Sequence, residues 1–160
     1  MVETTEVAKP MPSNEEKVER YNKVVGLANL QGVQMTRVGF DVKPDFFNDP
    51  SENKLAYSVE RGESQYVSGE QVAIVNIKLT VDAKRNRKKT LSCEAHYIVI
   101  YDNLEDCDED AVDVFLTRVA PFACYPYFRS LFANLDWAAN TRLPPLPVHK
   151  EPPRSSKKAK

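Results

Sequence analysis

The sequence predicts an α+β fold, a four-stranded antiparallel meander sheet with helices packed on one face and an N-terminal helix added before the strands. Four segments in the middle of the chain alternate apolar and polar residues, which is typical of strands with one buried face. Apolar residues recur at helical spacing before and after these segments. Because the strands follow one another directly and the long helix comes last, this order favours an α+β class over a parallel α/β sheet.

The domain organisation is predicted from length and composition. A chain of 160 residues suits one core, and residues 14–148 carry the periodic patterns. The segments 1–13 and 149–160 lack periodicity and are rich in Pro and charged residues. Both are therefore predicted to be disordered tails, the second of them basic.

The N-terminal helix is predicted from residue 14 to residue 29. Ser13 or Asn14 can cap it, and Glu15 and Glu16 fall in its first turn, where negative charge is favourable. Its apolar stripe consists of Val18, Tyr21, Val24, Val25 and Ala28. Such a stripe predicts that the helix packs against the rest of the domain.

The first two strands are predicted at residues 33–42 and 55–67. Pro44 follows the first strand, and Gly62 indicates a bulge or bend in the second. The loop between them carries Phe46 and Phe47. These two rings either tuck onto the core or form a mobile apolar contact surface.

The third and fourth strands are predicted at residues 71–82 and 90–101, with a basic hairpin loop between them. Centring the hairpin on Asn86 pairs Val75 with Tyr97 and produces one continuous apolar face. One end of the opposite face is apolar too, which requires a second cover. We predict an oligomer interface there, with the N-terminal helix or a loop as the alternative cover. The interface residues would be Val72, Ile74, Ile98 and Ile100.

Two further helices are predicted after the strands. The shorter one spans residues 109–120, begins with an aspartate cap and ends at Pro121. The longer one has Pro126 in its first turn and cannot continue past Leu143, because two prolines follow. Its apolar stripe consists of Phe128, Leu131, Phe132, Leu135, Ala138 and Ala139. The LPPLP sequence at residues 143–147 predicts a stiff extended strap.

Composition and motifs argue against catalysis and nucleic-acid binding. Lys and Arg number 22 and Asp and Glu 23, so no overall positive charge favours phosphate contacts. Glycine-rich phosphate-binding motifs and the G-x-S-x-G nucleophile motif are absent from the sequence. Cys93 and His96 lie three residues apart on a strand, on opposite faces, which excludes a shared metal ion. We therefore predict no enzyme activity, no cofactor and no metal.

The cysteines and hydropathy predict a cytoplasmic location without membrane insertion. The three cysteines have no paired spacing, which favours reduced thiols. Cys124 precedes the predicted long helix, whose dipole can lower the pKa of a thiol. No histidine is placed by sequence to serve as its base, so a buried structural thiol is favoured. No apolar run approaches the about 18 residues needed to cross a bilayer, and the first residues lack a signal-peptide pattern.

The segment APFACYPYFRSL at residues 120–131, followed by LPPLP, resembles the SecB protein-export chaperones. The stretch from Tyr125 to Arg129 is similar to the aromatic-Pro-Tyr-x-Arg motif that opens the long helix in that family. The broader SecB-like set, which includes chaperones of toxin–antitoxin systems, is also similar. The resemblance implies a dimer of dimers whose apolar grooves bind non-native chains without nucleotide. The basic tail and mixed-charge outer sheet face differ from the acidic surface that the export chaperone presents to the SecA translocase motor.

The resulting hypothesis is an ATP-independent chaperone (a holdase) that acts on unfolded or precursor polypeptides in protein export, as a homotetramer. The alternatives are a dedicated chaperone whose partner is an antitoxin and a hotdog-like small-molecule enzyme. The enzyme is disfavoured because the long helix follows the strands. The candidate client-binding residues are aromatic: Phe40, Phe46, Phe47, Tyr57, Tyr125, Tyr127 and Trp137.

Overall fold

The computed structural model describes residues 11–151, which form two α-helices and four β-strands in one antiparallel sheet. Helix α1 spans Asn14–Leu27 and helix α2 spans Glu109–Ala139. The strands are β1 (Asn29–Val42), β2 (Lys54–Val67), β3 (Val72–Arg85) and β4 (Lys88–Asp102). The α+β class, the four antiparallel strands and the N-terminal helix are thereby confirmed. Residues 1–10 and 152–160, which make up most of the two predicted tails, lie outside the described residues.

The strand order corrects the predicted meander. The sheet runs β1-β4-β3-β2, so that β1 lies beside β4 rather than beside β2. The connection from β1 to β2, which we call the crossover segment (residues 43–53), passes the end of β4. There the Lys43 N–H donates to the Thr90 carbonyl over 2.9 Å, and Phe46 is fully buried. Alternation of residues identifies the buried face of a strand but not its neighbour, so the pattern alone could not give this order.

The β3–β4 hairpin has the predicted faces in a different register. Asn86 and Arg87 both have positive φ, at 47° and 66°, which makes a two-residue turn. A register shift between Ala83 and Lys84 then pairs Val75 with Val99, two residues from the predicted partner. Because a shift of two residues retains the direction of every side chain, the predicted apolar face is still buried.

One long helix replaces the two that the prolines predict. Asp108 caps α2 by accepting a hydrogen bond from the Ala111 N–H over 3.1 Å, and the helix continues through Pro121 and Pro126. Each proline removes one backbone hydrogen bond from the helix. A buried stripe along both halves of α2 offsets this cost. Its residues are Ala111, Val112, Phe115, Leu116, Ala120, Pro121, Cys124, Tyr125, Phe128 and Phe132.

Aromatic contacts place α2 across one face of the sheet, which we call the core face. The Phe115 ring meets Tyr101 of β4 edge-on, with ring centroids 5.0 Å apart. Further along the helix, the Tyr125 ring lies 5.6 Å from Tyr57 of β2. The core face carries the odd-numbered residues of β3 and β4, which are buried from Ala73 to Ala83 and from Leu91 to Tyr101. Helix α2 is therefore the cover of the core, as its apolar stripe predicts.

Helix α1 begins as predicted and packs on α2. Ser13 and Glu16 form a reciprocal capping box at its N-terminus. Val24 is buried, and the Tyr21 ring lies 5.3 Å beneath the guanidinium of Arg118 on α2. Arg20 pairs with Asp108 over 3.0 Å. The predicted amphipathic pattern thus identifies the packed side of α1.

Bulges set which side chains of the edge strands face the core. The predicted irregularity at Gly62 is confirmed by a register shift between Arg61 and Ser64. A second shift, between Met35 and Arg37, lies in β1, where no bulge was predicted. It places Met35 and Val38 on the core face opposite Tyr97 and Ala95. Since β1 is an edge strand, Met35 is 49% exposed and Val38 45% exposed.

Candidate functional site

The segment after α2 turns back and runs along that helix. We call residues 141–148 the strap. Asn140 has a left-handed φ of 54°, which ends α2 and reverses the chain. The Asp136 carboxylate then accepts hydrogen bonds from the Leu143 N–H, over 2.8 Å, and from the Thr141 hydroxyl. These bonds hold the beginning of the strap against the last turn of α2.

The other end of the strap is held by Tyr125. Its hydroxyl donates to the Pro147 carbonyl, and Leu146 is buried at 2% exposure. Burial raises the pKa of Tyr125, and the neighbouring Tyr57 adds to the rise. The phenol therefore remains protonated and available as a donor at neutral pH. The strap is consequently fixed at both ends.

An apolar groove lies between the strap and α2, and we call it the strap–helix groove. Its volume is about 510 Å³. The polar lining residues include Arg129 and Asp136, of opposite charge. The full lining consists of Tyr125, Pro126, Arg129, Ser130, Phe132, Ala133, Asp136, Leu143, Pro144, Pro145, Leu146 and Val148. An apolar floor with few polar groups is typical of sites that bind side chains of another molecule.

A second groove lies on the other side of the strap, against the crossover segment. This strap–crossover groove has a volume of about 680 Å³. It is lined by Phe47, Pro50, Ser51, Asn53, Asn140, Thr141, Arg142, Leu143 and Pro144. Leu143 and Pro144 line both grooves. The two grooves therefore adjoin along the strap and form one extended surface.

The end of the strap stacks a histidine on two aromatic rings. The His149 ring lies 4.6 Å from Phe122 and 5.3 Å from Tyr125, measured between centroids. Its Nδ1 atom is buried without a hydrogen-bond partner among the described residues. Burial accordingly lowers the pKa of His149, because the charged ring is poorly solvated there.

This histidine makes the stability of the protein depend on pH. Since the pKa of His149 is lower in the folded chain, the unfolded chain binds the proton more readily. The contribution of the neutral ring is complete above about pH 6.5 and is lost as the pH falls through the folded pKa. We expect His149→Phe, which keeps the stack but does not titrate, to show a smaller loss of stability between pH 7.5 and pH 5. Urea unfolding midpoints at the two pH values measure this. Equal losses of stability in the wild-type protein and in the variant would show that His149 does not cause the pH dependence.

The structure divides the seven predicted aromatic candidates into four groups. Phe47, 49% exposed, lines the strap–crossover groove, whereas Tyr125 lines the strap–helix groove but is buried at 3% exposure, so it offers little surface to a client. Tyr57 and Phe40 are half-buried on the core face, where Tyr57 contacts Tyr125. Phe46 is 0% exposed, which corrects its place among the contact residues, because a fully buried ring offers no surface to a client.

Tyr127 and Trp137 are strongly exposed, at 60% and 85%, and neither lines the grooves beside the strap. Ten residues separate them, so they project about 80° apart around α2, and Trp137 follows Ala133 by one turn. Both rings lie off the buried stripe of α2, as predicted, and their contact with clients stays a prediction.

The residues predicted for the oligomer interface lie together on the outer sheet face, opposite α2. Ile74 pairs directly with Ile100, whereas Ile98 pairs with Asn76. Val72 pairs with Val67 of β2, which extends the apolar surface. All four predicted residues are half-buried.

The other end of the outer sheet face is polar. There the Glu94 carboxylate accepts a hydrogen bond from Lys78 over 3.3 Å and lies 2.6 Å from His96. These partners lower the pKa of Glu94, and the hydrogen bond with His96 makes the largest contribution.

The structure tests the predictions for the Cys124 thiol, for metal binding and for membrane insertion. Cys124 lies in the middle of α2, far from the positive end of the helix dipole, and burial raises its pKa to about 12. The buried structural thiol that the sequence favoured is thereby confirmed, and the alternative of a lowered pKa is wrong. Within residues 11–151, no group of three or more potential ligands is arranged to hold a metal ion. No helix of that part is long and apolar enough to cross a membrane.

Sequence reasoning missed the residues that build the grooves around the strap. Asp136 and Thr141, which fix its start, carry no motif. Arg129 and Ala133 were assigned only to the helix, although they lie one turn apart on the side that faces the strap. The LPPLP sequence was the one available indication of the grooves, because its two prolines keep the segment extended and leave its leucines free to pack on the helix.

Comparison with solved structures gives the fold a precedent. A SecB-like chaperone of Mycobacterium tuberculosis, solved in complex with a ChAD peptide from the HigA1 antitoxin, superposes with a TM-score of 0.64. The match covers 84% of this chain and 98% of that chain at 18% sequence identity. This chain has a SecB-like fold. The resemblance seen in the sequence is thereby confirmed for the fold.

Other comparisons add little to the SecB-like assignment. No protein-family model and no curated protein matches the sequence. A Streptococcus agalactiae protein of unknown function superposes over 77% of this chain and 97% of its own at 9% identity, with a TM-score of 0.38. That value is too low for an argument.

Proposed function

We propose that this protein is a cytoplasmic molecular chaperone that binds non-native segments of other polypeptides without nucleotide, in the two grooves beside the strap. The observation that carries the proposal is the continuity of these grooves through Leu143 and Pro144. Their volumes are about 510 and 680 Å³ on a SecB-like fold, and the first is lined mainly by apolar surface and the second by apolar and polar surface in similar amounts. A folded chain seldom leaves such a surface uncovered without a binding role.

The groove chemistry supports recognition that is loose in sequence. Phe47, Pro144 and Val148 present apolar surface, which stabilises a bound side chain by about 25 cal/mol per Å² before ordering costs are subtracted. Arg129 and Asp136 carry opposite charges, so neither sign of client charge is excluded. These properties suit exposed apolar segments of many different chains.

The cytoplasmic location and the assembly are parts of the same proposal. All three cysteines are free, and Cys93 and Cys124 are buried as thiols, which suits a reducing compartment. The apolar end of the outer face, around Ile74 and Ile100, supports assembly through Val72, Ile74, Ile98 and Ile100, as a dimer of dimers. A bound copy would remove these half-buried side chains from water.

A dedicated antitoxin chaperone is the second candidate. The SecB-like protein of Mycobacterium tuberculosis was solved with an antitoxin peptide, which supports this reading of the grooves. A role in export, with the SecA motor as partner, has weaker support. The outer sheet face pairs Glu94 with Lys78 and His96, so it lacks the uniform acidic charge of the export chaperone.

The proposal is tested by mixing the purified protein with a chemically unfolded model client during dilution from denaturant. We expect suppression of client aggregation, followed by light scattering, at ratios near one assembly per client and with no effect of added ATP. Aggregation that proceeds unchanged at a tenfold excess of the protein would reject the chaperone. If the protein suppresses the aggregation of one antitoxin and of no other client tested, the dedicated antitoxin chaperone is favoured over the general chaperone.

A further inference from the structure

A third groove separates α1 from α2 at the end of the molecule away from the strap, and we call it the helix–helix groove. Its volume is about 680 Å³, and it shares no lining residue with the grooves beside the strap. Val18 and Val114 line it and are 58% and 46% exposed. The lining consists of Pro12, Lys17, Val18, Tyr21, Asn22, Asp110, Ala111, Val114 and Arg118. Its exposed valines indicate a surface that an occupant would cover.

The path of the chain beyond the strap leads towards this groove. The Pro147 carbonyl meets Tyr125, the His149 ring meets Phe122 at 4.6 Å, and the Glu151 carboxylate meets the Arg118 guanidinium at 3.4 Å. Every two residues therefore advance the chain by about one turn towards the N-terminus of α2. Arg118 itself lines the helix–helix groove. The last described residue, Glu151, thus lies beside a lining residue of the groove.

The length of the following segment fits the groove. Residues 152–160 comprise nine residues, beginning with two prolines that favour an extended backbone. Extended, they span about 30 Å. The distance along α2 from Arg118 to Asp110 is about 12 Å at the helical rise per residue. The segment can therefore run the full length of the groove.

The charges of the segment complement those around the groove. Residues 152–160 contain four bases and no acid: Arg154, Lys157, Lys158 and Lys160. Asp110 lies in the groove, and Glu15 and Glu19 lie in an adjoining hollow that shares Val18 and Asn22 with it. Glu16, Asp106 and Glu109 are further acids at this end, whereas Asp108 and Asp113 are paired with Arg20 and Arg61.

The bases at the same end are mostly engaged by acceptors. Arg20 pairs with Asp108, and Lys23 donates to the Asp106 carbonyl over 2.7 Å. Arg118 pairs with Glu151. Lys17 is the further base in the lining of the groove. The balance of charge around the groove is therefore negative and favours a basic occupant.

We propose that the basic segment, residues 152–160, occupies the helix–helix groove of its own chain. It continues the direction of the strap, covers Val18 and Val114, and sets its bases against Asp110 and the acids of α1. The strap and this segment then form one band along the whole of α2, which fixes α1 to the domain. The groove is consequently a site for this chain and not for clients.

Hydrogen exchange of the full-length protein tests the proposal. A variant with Arg154, Lys157, Lys158 and Lys160 replaced by serine is expected to exchange its α1 amides at least about threefold faster, while the amides of β3 and β4 are unchanged. Sodium chloride at 1 M is expected to have the same effect on the wild-type protein, because it screens exposed charges. Equal exchange of α1 in the wild-type protein and the variant would overturn the proposal.

Matched substitutions separate docking from changes within α1. Glu19→Lys is expected to speed α1 exchange in the wild-type protein and to have a smaller effect in the four-serine variant, where the bases are gone. Glu52→Lys, the same charge change in the crossover segment, is the control and leaves α1 exchange as it is. An equal effect of Glu19→Lys in both backgrounds contradicts docking. Protection of α1 that falls on dilution would assign the segment to another copy and also overturn the proposal.

Discussion

Replacing Phe128 with alanine is expected to lower the free energy of unfolding by about 3–5 kcal/mol. Phe128 is 0% exposed and lies in the second half of α2, near the C-terminal end of its buried stripe. Its removal leaves a cavity between the helix and the sheet that the surrounding side chains fill only in part. Urea denaturation measures the effect as a lower midpoint with an unchanged dependence on urea concentration.

Tyr127 provides the control for this prediction. It is the neighbouring residue on the same helix and has a similar ring, but it is 60% exposed. Tyr127→Ala is expected to change the free energy of unfolding by less than about 0.5 kcal/mol. Similar losses in the two variants would mean that α2 does not bury the face described for it.

Filling the strap–helix groove with an indole is expected to weaken the binding of an unfolded client by at least about tenfold. Ala133 is exposed on α2 and lines that groove, whose volume of about 510 Å³ accommodates the larger ring. In Ala133→Trp the introduced side chain occupies the apolar surface that a client would otherwise bury. Fluorescence anisotropy of a labelled, permanently unfolded polypeptide gives the dissociation constant.

Ala138→Trp is the matched control for the filled groove. Ala138 is also exposed on α2, but it lines none of the grooves beside the strap. The same substitution there adds the same apolar area and the same helix-propensity cost. We expect the control to bind the client as the wild type does. Equal weakening in both variants would place the client contact elsewhere, for example at the exposed Trp137.

Local sequence patterns predicted the helices and strands correctly where the intrinsic preference of a segment matches the structure that packing favours. Ser13 caps α1 as expected, because its capping box is encoded within four residues. The period-two alternation gave the buried faces of β3 and β4, although the turn at Asn86 and Arg87 set a register two residues away. Turn geometry depends on backbone conformations that the sequence around Asn86 does not specify uniquely.

Prediction failed where contacts distant in sequence override a local signal. Pro121 looks like a helix end, but it is buried in α2 among residues that pack on the sheet. The neighbour of β1 depends on pairing between residues as far apart as Asn29 and Asp102. No periodicity within either strand carries that information, so the meander was the default expectation.

The candidate site was predicted in part, because aromatic content alone does not separate core from surface. Phe46 and Phe47 are adjacent and identical, yet one is 0% and the other 49% exposed. The crossover segment turns through a short helical turn there, which directs consecutive side chains to opposite sides. The grooves themselves depend on where the strap returns, and Asp136 and Tyr125 determine that only in three dimensions.

The position of β1 beside β4 has a consequence for how the chain acquires its structure during synthesis. The β3–β4 pair closes over a two-residue turn, whereas β1 must wait until β4 has been made before it gains a partner. Closing that long loop costs more entropy and delays the pairing. In the meantime Leu30, Met35 and Val38 are carried on an unpaired nascent segment. A newly made chain therefore exposes apolar residues before it is complete, as do the non-native polypeptides that we propose as its clients.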